Sequence, residues 1–233
     1  MTKTVAIVSG GMDSVVLAHM LRHEGHELHL VSFNYGQRHS KELEFAKACA
    51  AYLGSPHSVV DLSCLQGMLK GSSLTSADVE VPDGHYAEQT MRITVVPNRN
   101  AIMLNIAAGL AISEGAKYVA TGVHGGDHYI YPDCRPAFIK AVDAMLCVAT
   151  DGFARKGFGV LAPFLNWTKG DIAAKGAAIG VDFTQTWSCY KGGDVHCGSC
   201  GTCFERREAF AEAGVQDPTT YLATPDYVDP RTA

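Results

Sequence analysis

The chain reads as an α/β protein: an open parallel sheet with helices on both faces, plus a small metal-binding region at its C-terminal end. Three observations lead there. Short apolar runs alternate with segments of helical spacing from residue 4 to residue 62, and a β-α-β-α-β order builds a parallel sheet covered on both faces. The first strand-to-helix turn is Ser9-Gly10-Gly11-Met12-Asp13-Ser14, glycine-rich at the point where such sheets bind ligands. Four of the eight cysteines, Cys189, Cys197, Cys200 and Cys203, crowd into one short stretch, which is metal-ligand spacing.

The elements follow in order. Residues 4–9 (TVAIVS) form a buried strand, and 12–25 have helical spacing with a glycine at the end. Residues 26–36 are the second strand. Residues 40–54 are a helix with Ser40 as N-cap and Gly54 as its stop. Residues 57–62 are the third strand. Residues 63–97 carry turn residues and little periodicity, as functional lids and insertions do. Helix returns at 98–116 and 135–152, strand at 117–124 and 158–165. Residues 168–180 are a helix capped by Thr168, with Asp171 at capping-box spacing. A boundary near 182 divides a nucleotide-binding domain, 1–181, from a cysteine-bearing region, 182–233, packed on it.

Composition narrows the function. The 233 residues suffice for one full domain and an appendage, and 47% hydrophobic with 18% charged residues suits a globule, not a disordered chain. The net charge of −5 and the scattering of the 19 Lys and Arg disfavour nucleic acid as the direct partner. The N-terminal apolar run, Val5–Val8, is four residues long, with no cleavage-site pattern. The stretch Ala101–Ile112 is interrupted by Asn105 and is short of the ~20 residues of a membrane span. A cytoplasmic location with no membrane partner is expected, where thiols stay reduced. Cys49 and Cys147 are read as small buried residues.

A strand-to-helix turn gathers unpaired backbone N–H groups at the positive end of a helix dipole, which makes an anion site. Gly10 and Gly11 allow close approach, and Ser9 and Ser14 add hydroxyls. An acid beside a phosphate makes sense when magnesium lies between them, which gives Asp13 a role. The stretch lacks the Gly-Lys of a Walker loop and the GxGxxG of a dinucleotide fold. A lysine-free phosphate loop suits attack on the α-phosphate with pyrophosphate as leaving group. The bland alternative is a helix start capped by Asp13 or Ser14. The stretch resembles the SGGxDS loop of the PP-loop ATP pyrophosphatase superfamily (adenine nucleotide alpha hydrolase-like). That resemblance implies ATP bound by Val8, Ser9, Gly10, Gly11, Met12, Asp13, Ser14 and Val15, and substrates activated as adenylates.

In the tail, C-x2-C-x2-C follows Cys189, with glycines at 192, 193, 198 and 201 that let the chain turn around an ion. Four thiolates in a compact loop are the usual structural zinc site, one ion per chain. An iron–sulfur cluster also takes four cysteines, but its run continues with Cys-Pro where this chain has FERRE at 204–208. His196, beside Cys197, is poorly placed to ligate.

The stretches NYGQRHSKELE (34–44), VPNRNAIML (96–104), YPDCRPAF (131–138), WSCYKGG (187–193) and CGSCGTCFERREAFAEAGVQDPTTY (197–221) are similar to the 7-cyano-7-deazaguanine synthase family. The resemblance spans nearly the whole chain. It implies an ATP-dependent carbon–nitrogen ligase of queuosine and 7-deazapurine biosynthesis. The carboxylate of 7-carboxy-7-deazaguanine is adenylated, ammonia converts it to an amide, and a second activation gives the nitrile. Asp13 and Arg99 are the catalytic candidates, Arg99 for charge stabilisation at the reacting phosphate. Lys169 and Arg38 are further candidates, and Tyr131, Asp133 and Arg135 are expected to line the base pocket. The stretch 122–134 is richer in histidine than the family form, which leaves His124, Asp127 and His128 without a role. A homodimer is the expected assembly. Two other readings are a PP-loop enzyme that modifies tRNA and a non-enzymatic zinc-bearing regulator.

Overall fold

The computed structural model describes residues 1–37, 40–65, 68, 71–75, 79–85 and 91–224. Among these, five parallel strands form one sheet: β1 (Thr2–Ile7), β2 (His26–Asn34), β3 (His57–Asp61), β4 (Tyr118–Ala120) and β5 (Gly159–Leu161), in the order β3-β2-β1-β4-β5. Register is continuous across it: Thr4 lies opposite Leu28 on one side and Tyr118 on the other, and Tyr118 opposite Gly159. The helices are α1 (Met12–His23), α2 (Glu42–Leu53), α3 (Arg99–Ser113), α4 (Pro136–Ala149), α5 (Lys169–Ala178) and α6 (Gly201–Ala213).

Side-chain alternation along β1 and β2 assigns the two faces. Ala6, Leu28 and Leu30 pack with Val16 and Leu17 of α1, Cys49 of α2, Ile172 of α5 and Phe210 of α6. Val5, Val31 and Phe33 pack on the other face with Leu104 and Ala107 of α3 and Ile139 and Val142 of α4. The predicted class is the observed one. Strand order reverses direction between β1 and β4, so the crevice at their carboxyl ends is the place for a ligand.

Boundaries differ where function intervenes. The runs 117–124 and 158–165 are strand for only three residues each, because the chain leaves the sheet to form the loops beside the crevice. Helix α2 starts at Glu42, with Lys41 at the N-cap and no side-chain cap; Ser40 instead closes a tight turn, its carbonyl accepting from the Leu43 N–H. Gly54 ends α2 in the left-handed region as expected. The helical run Arg92–Ser113 has 22 residues and a mean hydropathy of 1.2, enough by length and composition alone to cross a membrane. Its α3 part instead lies on the sheet, with Met103, Leu104, Ala107, Ala108 and Ala111 buried. Cys49 is buried, but Cys147 is exposed on α4 and is no core residue.

The capping box forms as read. Thr168 Oγ1 accepts from the Asp171 N–H (3.1 Å), and Asp171 Oδ2 accepts from the Thr168 N–H (2.9 Å). Thr168→Ala is expected to lower stability by about 1 kcal/mol, to be measured by urea denaturation; an unchanged midpoint would show that the cap contributes nothing.

Candidate active site

The loop after β1 folds by its own hydrogen bonds. Ser14 Oγ accepts from the Ser9 N–H (3.1 Å) and donates to the Gly11 carbonyl (3.0 Å), while Ser9 Oγ accepts from the Gly11 N–H (3.2 Å). The N-cap of α1 is Gly11, with no side-chain cap, so neither Asp13 nor Ser14 has the simple capping role. The first-turn N–H groups of α1 therefore stay available at the floor of a cavity of about 220 Å³ lined by Val8, Ser9, Gly11, Met12, Asp13 and Ser14. Gly10 and Val15 do not line it. Val15 is buried beneath. Gly10, at φ +96°, backs onto α2, and a Cβ there would sit 1.9 Å from the Glu42 carbonyl oxygen.

Asp13 is the hub. Its Oδ2 lies 3.3 Å from Lys169 Nζ and 3.8 Å from His124 Nε2, and its Oδ1 is buried without a hydrogen-bond partner. An unpartnered buried carboxylate oxygen facing an anion site fits a magnesium ion carried with a triphosphate. Lys169, the first residue of α5, also pairs with Glu205 Oε2 of α6 at 2.6 Å. Burial opposes the charge on Lys169, but Asp13, Glu205 and Asp127 outweigh it and raise its pKa above the ordinary lysine value. Burial raises the Glu205 carboxyl against the pull of Lys169. His124, 2% exposed, directs Nε2 at Asp127 Oδ2 (3.5 Å) and has an unpartnered Nδ1.

Across the cavity, Arg99 Nη1 donates to Tyr35 Oη (3.3 Å), and its guanidinium lies 5.8 Å from the centre of the Tyr35 ring. The structure brings Asp13, Arg99 and Lys169 to one cavity. The residues expected around the base lie behind its wall. Tyr131 is buried with its hydroxyl 2.6 Å from Thr94 Oγ1. Asp133 Oδ2 accepts from the Asn100 N–H (3.2 Å) at the start of α3, and the exposed Arg135 donates to the His128 carbonyl (2.6 Å). Cys134 and Asn100 reach the cavity. Arg38 lies outside the described residues.

The cysteine region closes the other side. The Trp187 N–H donates to the Gly10 carbonyl (2.9 Å), and Ser188, Tyr190 and Thr202 line the cavity. The thiols of Cys189, Cys197, Cys200 and Cys203 converge. Cys200 and Cys203 sulfurs are 3.5 Å apart, Cys197 and Cys203 3.9 Å. Tetrahedral Zn–S bonds of about 2.3 Å require about 3.8 Å, so the four can hold a metal. Backbone N–H groups of Ser199 and Cys200 point at Cys197 Sγ at 3.4 and 3.3 Å, and that of Cys197 at Cys189 Sγ at 3.4 Å. His196 is not among the ligands: its Nε2 accepts from the Ser188 N–H (3.1 Å), it packs on Trp187, and burial, aided by Arg206, pushes its pKa down to about 4. Asp83, from the segment read as an insertion, pairs with Cys200 through backbone and with Lys191 through its carboxylate.

Cys200→Ser is expected to lower any metal bound at the four cysteines well below one ion per chain and to lower the melting temperature, since a structural ion such as zinc contributes roughly 10–16 kcal/mol in small sites. Metal analysis and calorimetry check this; an unchanged metal content with a normal melt would contradict it.

A parallel sheet of this order, with a lysine-free Gly-Ser-Asp loop at the helix start after β1, defines an ATP-dependent enzyme of the PP-loop type. Residues 3–214 match the family model "Queuosine biosynthesis protein QueC". The chain belongs to the QueC family. It is similar to the 7-cyano-7-deazaguanine synthase of Ruegeria sp. (strain TM1040), 58% identical over 225 residues, covering 97% of this chain and 95% of that one. The synthase of the same name from Brucella ovis is 58% identical over 219 residues, 94% and 93% of the two chains. Among solved structures, the NH3-dependent NAD synthetase of Campylobacter jejuni is a remote neighbour, 13% identical with a TM-score of 0.47 over 91% of this chain and 75% of that one.

Proposed function

We propose that this chain converts 7-carboxy-7-deazaguanine and ammonia, at the expense of ATP, to the nitrile 7-cyano-7-deazaguanine. The observation that carries the reading is 58% identity over almost the full length to synthases of that name. A carboxylate is inert to ammonia because oxide is a poor leaving group. Its oxygen attacks the α-phosphorus, pyrophosphate leaves, and the adenylate carries AMP as the new leaving group. Ammonia displaces AMP to form the amide; a second activation of the amide oxygen and its loss give the nitrile. The protein is thus a carbon–nitrogen ligase, with AMP and pyrophosphate as nucleotide products.

The residues divide the work. Ser9, Gly11, Met12, Asp13 and Ser14, with Val8 at the strand end, hold the phosphates, and Gly10 and Val15 seat the loop from behind. Magnesium carried with the nucleotide would lie at Asp13 and neutralise phosphate charge. Arg99, with Lys169 opposite, stabilises charge developing at the α-phosphate. The base sits toward Asn100 and Cys134. Tyr131 and Asp133 fix that wall through Thr94 and the start of α3, and Arg135 anchors the 128 turn. Zinc at the four cysteines would cross-link the stretch 189–203 within itself, and the adjoining Trp187 N–H, bonded to the Gly10 carbonyl, seats that stretch on 1–181. The exposed apolar side chains of Met145, Val148 and Phe153 support a homodimer, and the protein is assigned to the cytoplasm.

Purified protein incubated with Mg-ATP, ammonium and 7-carboxy-7-deazaguanine should yield the nitrile by mass spectrometry, with AMP and pyrophosphate. ATP turnover only on addition of tRNA would move the assignment to a tRNA-modifying enzyme; no turnover at all would leave a binding protein. Asp13→Asn is expected to keep the fold, by circular dichroism, and to lose turnover by at least about 100-fold. Near-wild-type rates would reduce Asp13 to a structural residue.

A further inference from the structure

We propose that Glu205 is the positioning residue for Lys169: it fixes the lysine ammonium group between the nucleotide loop and α6, so that the cysteine-bearing region supplies part of the ATP chemistry. The inference deepens the function proposed above and rests on it, since that reading gives Lys169 its place at the α-phosphate. Lys169 is the first residue of α5, where the positive end of the helix dipole disfavours a cation. An unheld lysine there would turn its charge out to water. Instead its side chain is only 15% exposed and lines the cavity. Its Nζ donates to Glu205 Oε2 at 2.6 Å, and Asp13 Oδ2 lies farther off, at 3.3 Å. The order of these distances points to Glu205 as the group that sets the position of Nζ. Glu205 is not among the described residues that line the cavity, so it acts through the lysine.

The two helices are built to bring this pair together. Glu205 and Glu212 stand seven residues apart on α6 and so share one face. That face meets the start of α5: Glu212 Oε1 accepts from Thr168 Oγ1 at 3.0 Å, one residue before Lys169. Gly170, buried and one residue after it, leaves room for the approach; a Cβ there would stand 2.5 Å from Glu212 Cδ. Two carboxylates at a helix N-terminus also suit its dipole. The nucleotide loop cannot take over as the anchor. A lysine resting on Asp13 alone would neutralise the acid that faces the magnesium carried with the nucleotide. Held by Glu205, Lys169 leaves Asp13 that task. An ammonium group carries three N–H donors, so it can serve both carboxylates and still donate to a phosphate oxygen. The Glu205 side chain is 12% exposed, and a buried pair that loses one partner leaves an uncompensated charge. Loss of the Glu205 charge therefore drives Lys169 onto Asp13.

The test reads the lysine itself. In crystals of the full chain carrying Glu205→Gln, Nζ is expected to leave residue 205 and close onto Asp13, reversing the order of the two distances. In steady-state kinetics the same variant should show kcat lowered at least about ten-fold while KM for ATP changes less than about three-fold. The double variant Glu205→Gln with Lys169→Gln should lie within about two-fold of Lys169→Gln alone, because residues that act as a unit are not additive. A merely structural glutamate would leave Nζ in place, or would multiply its loss with that of Lys169, and either result would overturn the proposal. Should Glu205→Gln fail to fold, crystals of the wild-type chain with magnesium and an ATP analogue bearing a methylene between the α- and β-phosphorus decide. Nζ bonded to both Glu205 and a phosphate oxygen is expected there; Nζ released from Glu205 would overturn the proposal. Substrate-dependent ATP–pyrophosphate exchange by the wild-type protein separates the two questions. Its absence would refute the function, whereas its presence with Nζ unmoved in Glu205→Gln would refute the positioning role alone.

Discussion

Gly10→Ala is expected to abolish ATP-dependent turnover, by at least about 100-fold, although residue 10 does not touch the cavity. Two costs fall on one methyl group. At φ +96° an L-residue pays roughly 1–2 kcal/mol for the left-handed region. Its Cβ would also stand 1.9 Å from the Glu42 carbonyl oxygen and 2.9 Å from the Ala46 nitrogen. Both are main-chain atoms of α2, which cannot swing aside as the end of a flexible side chain would. The loop must therefore move off α2. That motion breaks the bond from the Trp187 N–H to the Gly10 carbonyl and displaces the first turn of α1, and a displacement of about 1 Å at a reacting centre can cost 100-fold. Pyrophosphate release and ATP affinity measure the effect. A Gly10→Ala protein with wild-type kinetics would show that the loop is not held against α2 as described.

Arg206→Met is expected to destabilise the protein by about 3–5 kcal/mol. Arg206 is fully buried on α6 and has no solvent to fall back on. Its guanidinium donates to Thr186 Oγ1 (2.8 Å), the Phe183 carbonyl (3.0 Å) and Thr219 Oγ1 (2.7 Å), and lies 3.5 Å from Asp217. Methionine fills most of the volume but donates nothing: the Phe183 carbonyl is left with the Thr186 hydroxyl alone, and the Asp217 carboxylate keeps the Thr219 N–H and the Tyr221 hydroxyl but loses its cationic partner. At this chain length 1 kcal/mol moves the melting temperature by about 2–4 °C, so a fall near 10 °C is expected in calorimetry. Arg206→Lys should recover little of it, because one ammonium cannot reach all these acceptors. A loss below about 1 kcal/mol would mean that desolvation of the arginine had cancelled its bonds.

Much of this was readable from local pattern. The Ser-Gly-Gly turn, the Thr168–Asp171 box, the Gly54 stop and the four cysteines each owe their role to neighbours within a dozen or so residues, and periodicity gave the strands and helices of both faces. What escaped depends on distance along the chain. Glu205 meets Lys169 across 36 residues, and His124 meets Asp13 across more than a hundred; no spacing rule links them. Arg206 stood in a charged run, FERRE, that reads as a solvated face, and only the packing of α6 against 183–188 and 217–219 buries it. Strands β4 and β5 are shorter than their apolar runs because the same apolar residues continue past the sheet into the loops of the site. Tyr131, Asp133 and Arg135 lie in a conspicuous turn, yet the structure commits their polar groups to Thr94, α3 and His128.

The bond between the Trp187 N–H and the Gly10 carbonyl bears on how the protein comes into being. During synthesis the first strand, its loop and α1 leave the ribosome early, whereas the segment that latches the loop is made almost 180 residues later. The loop of the nucleotide site is thus translated well before the segment that completes it. A nascent or prematurely terminated chain that has folded its sheet would still lack one wall of the cavity. Closure of the cavity in this way waits until the Trp187 segment and the cysteines beside it have emerged, so completion of the site follows synthesis of that stretch.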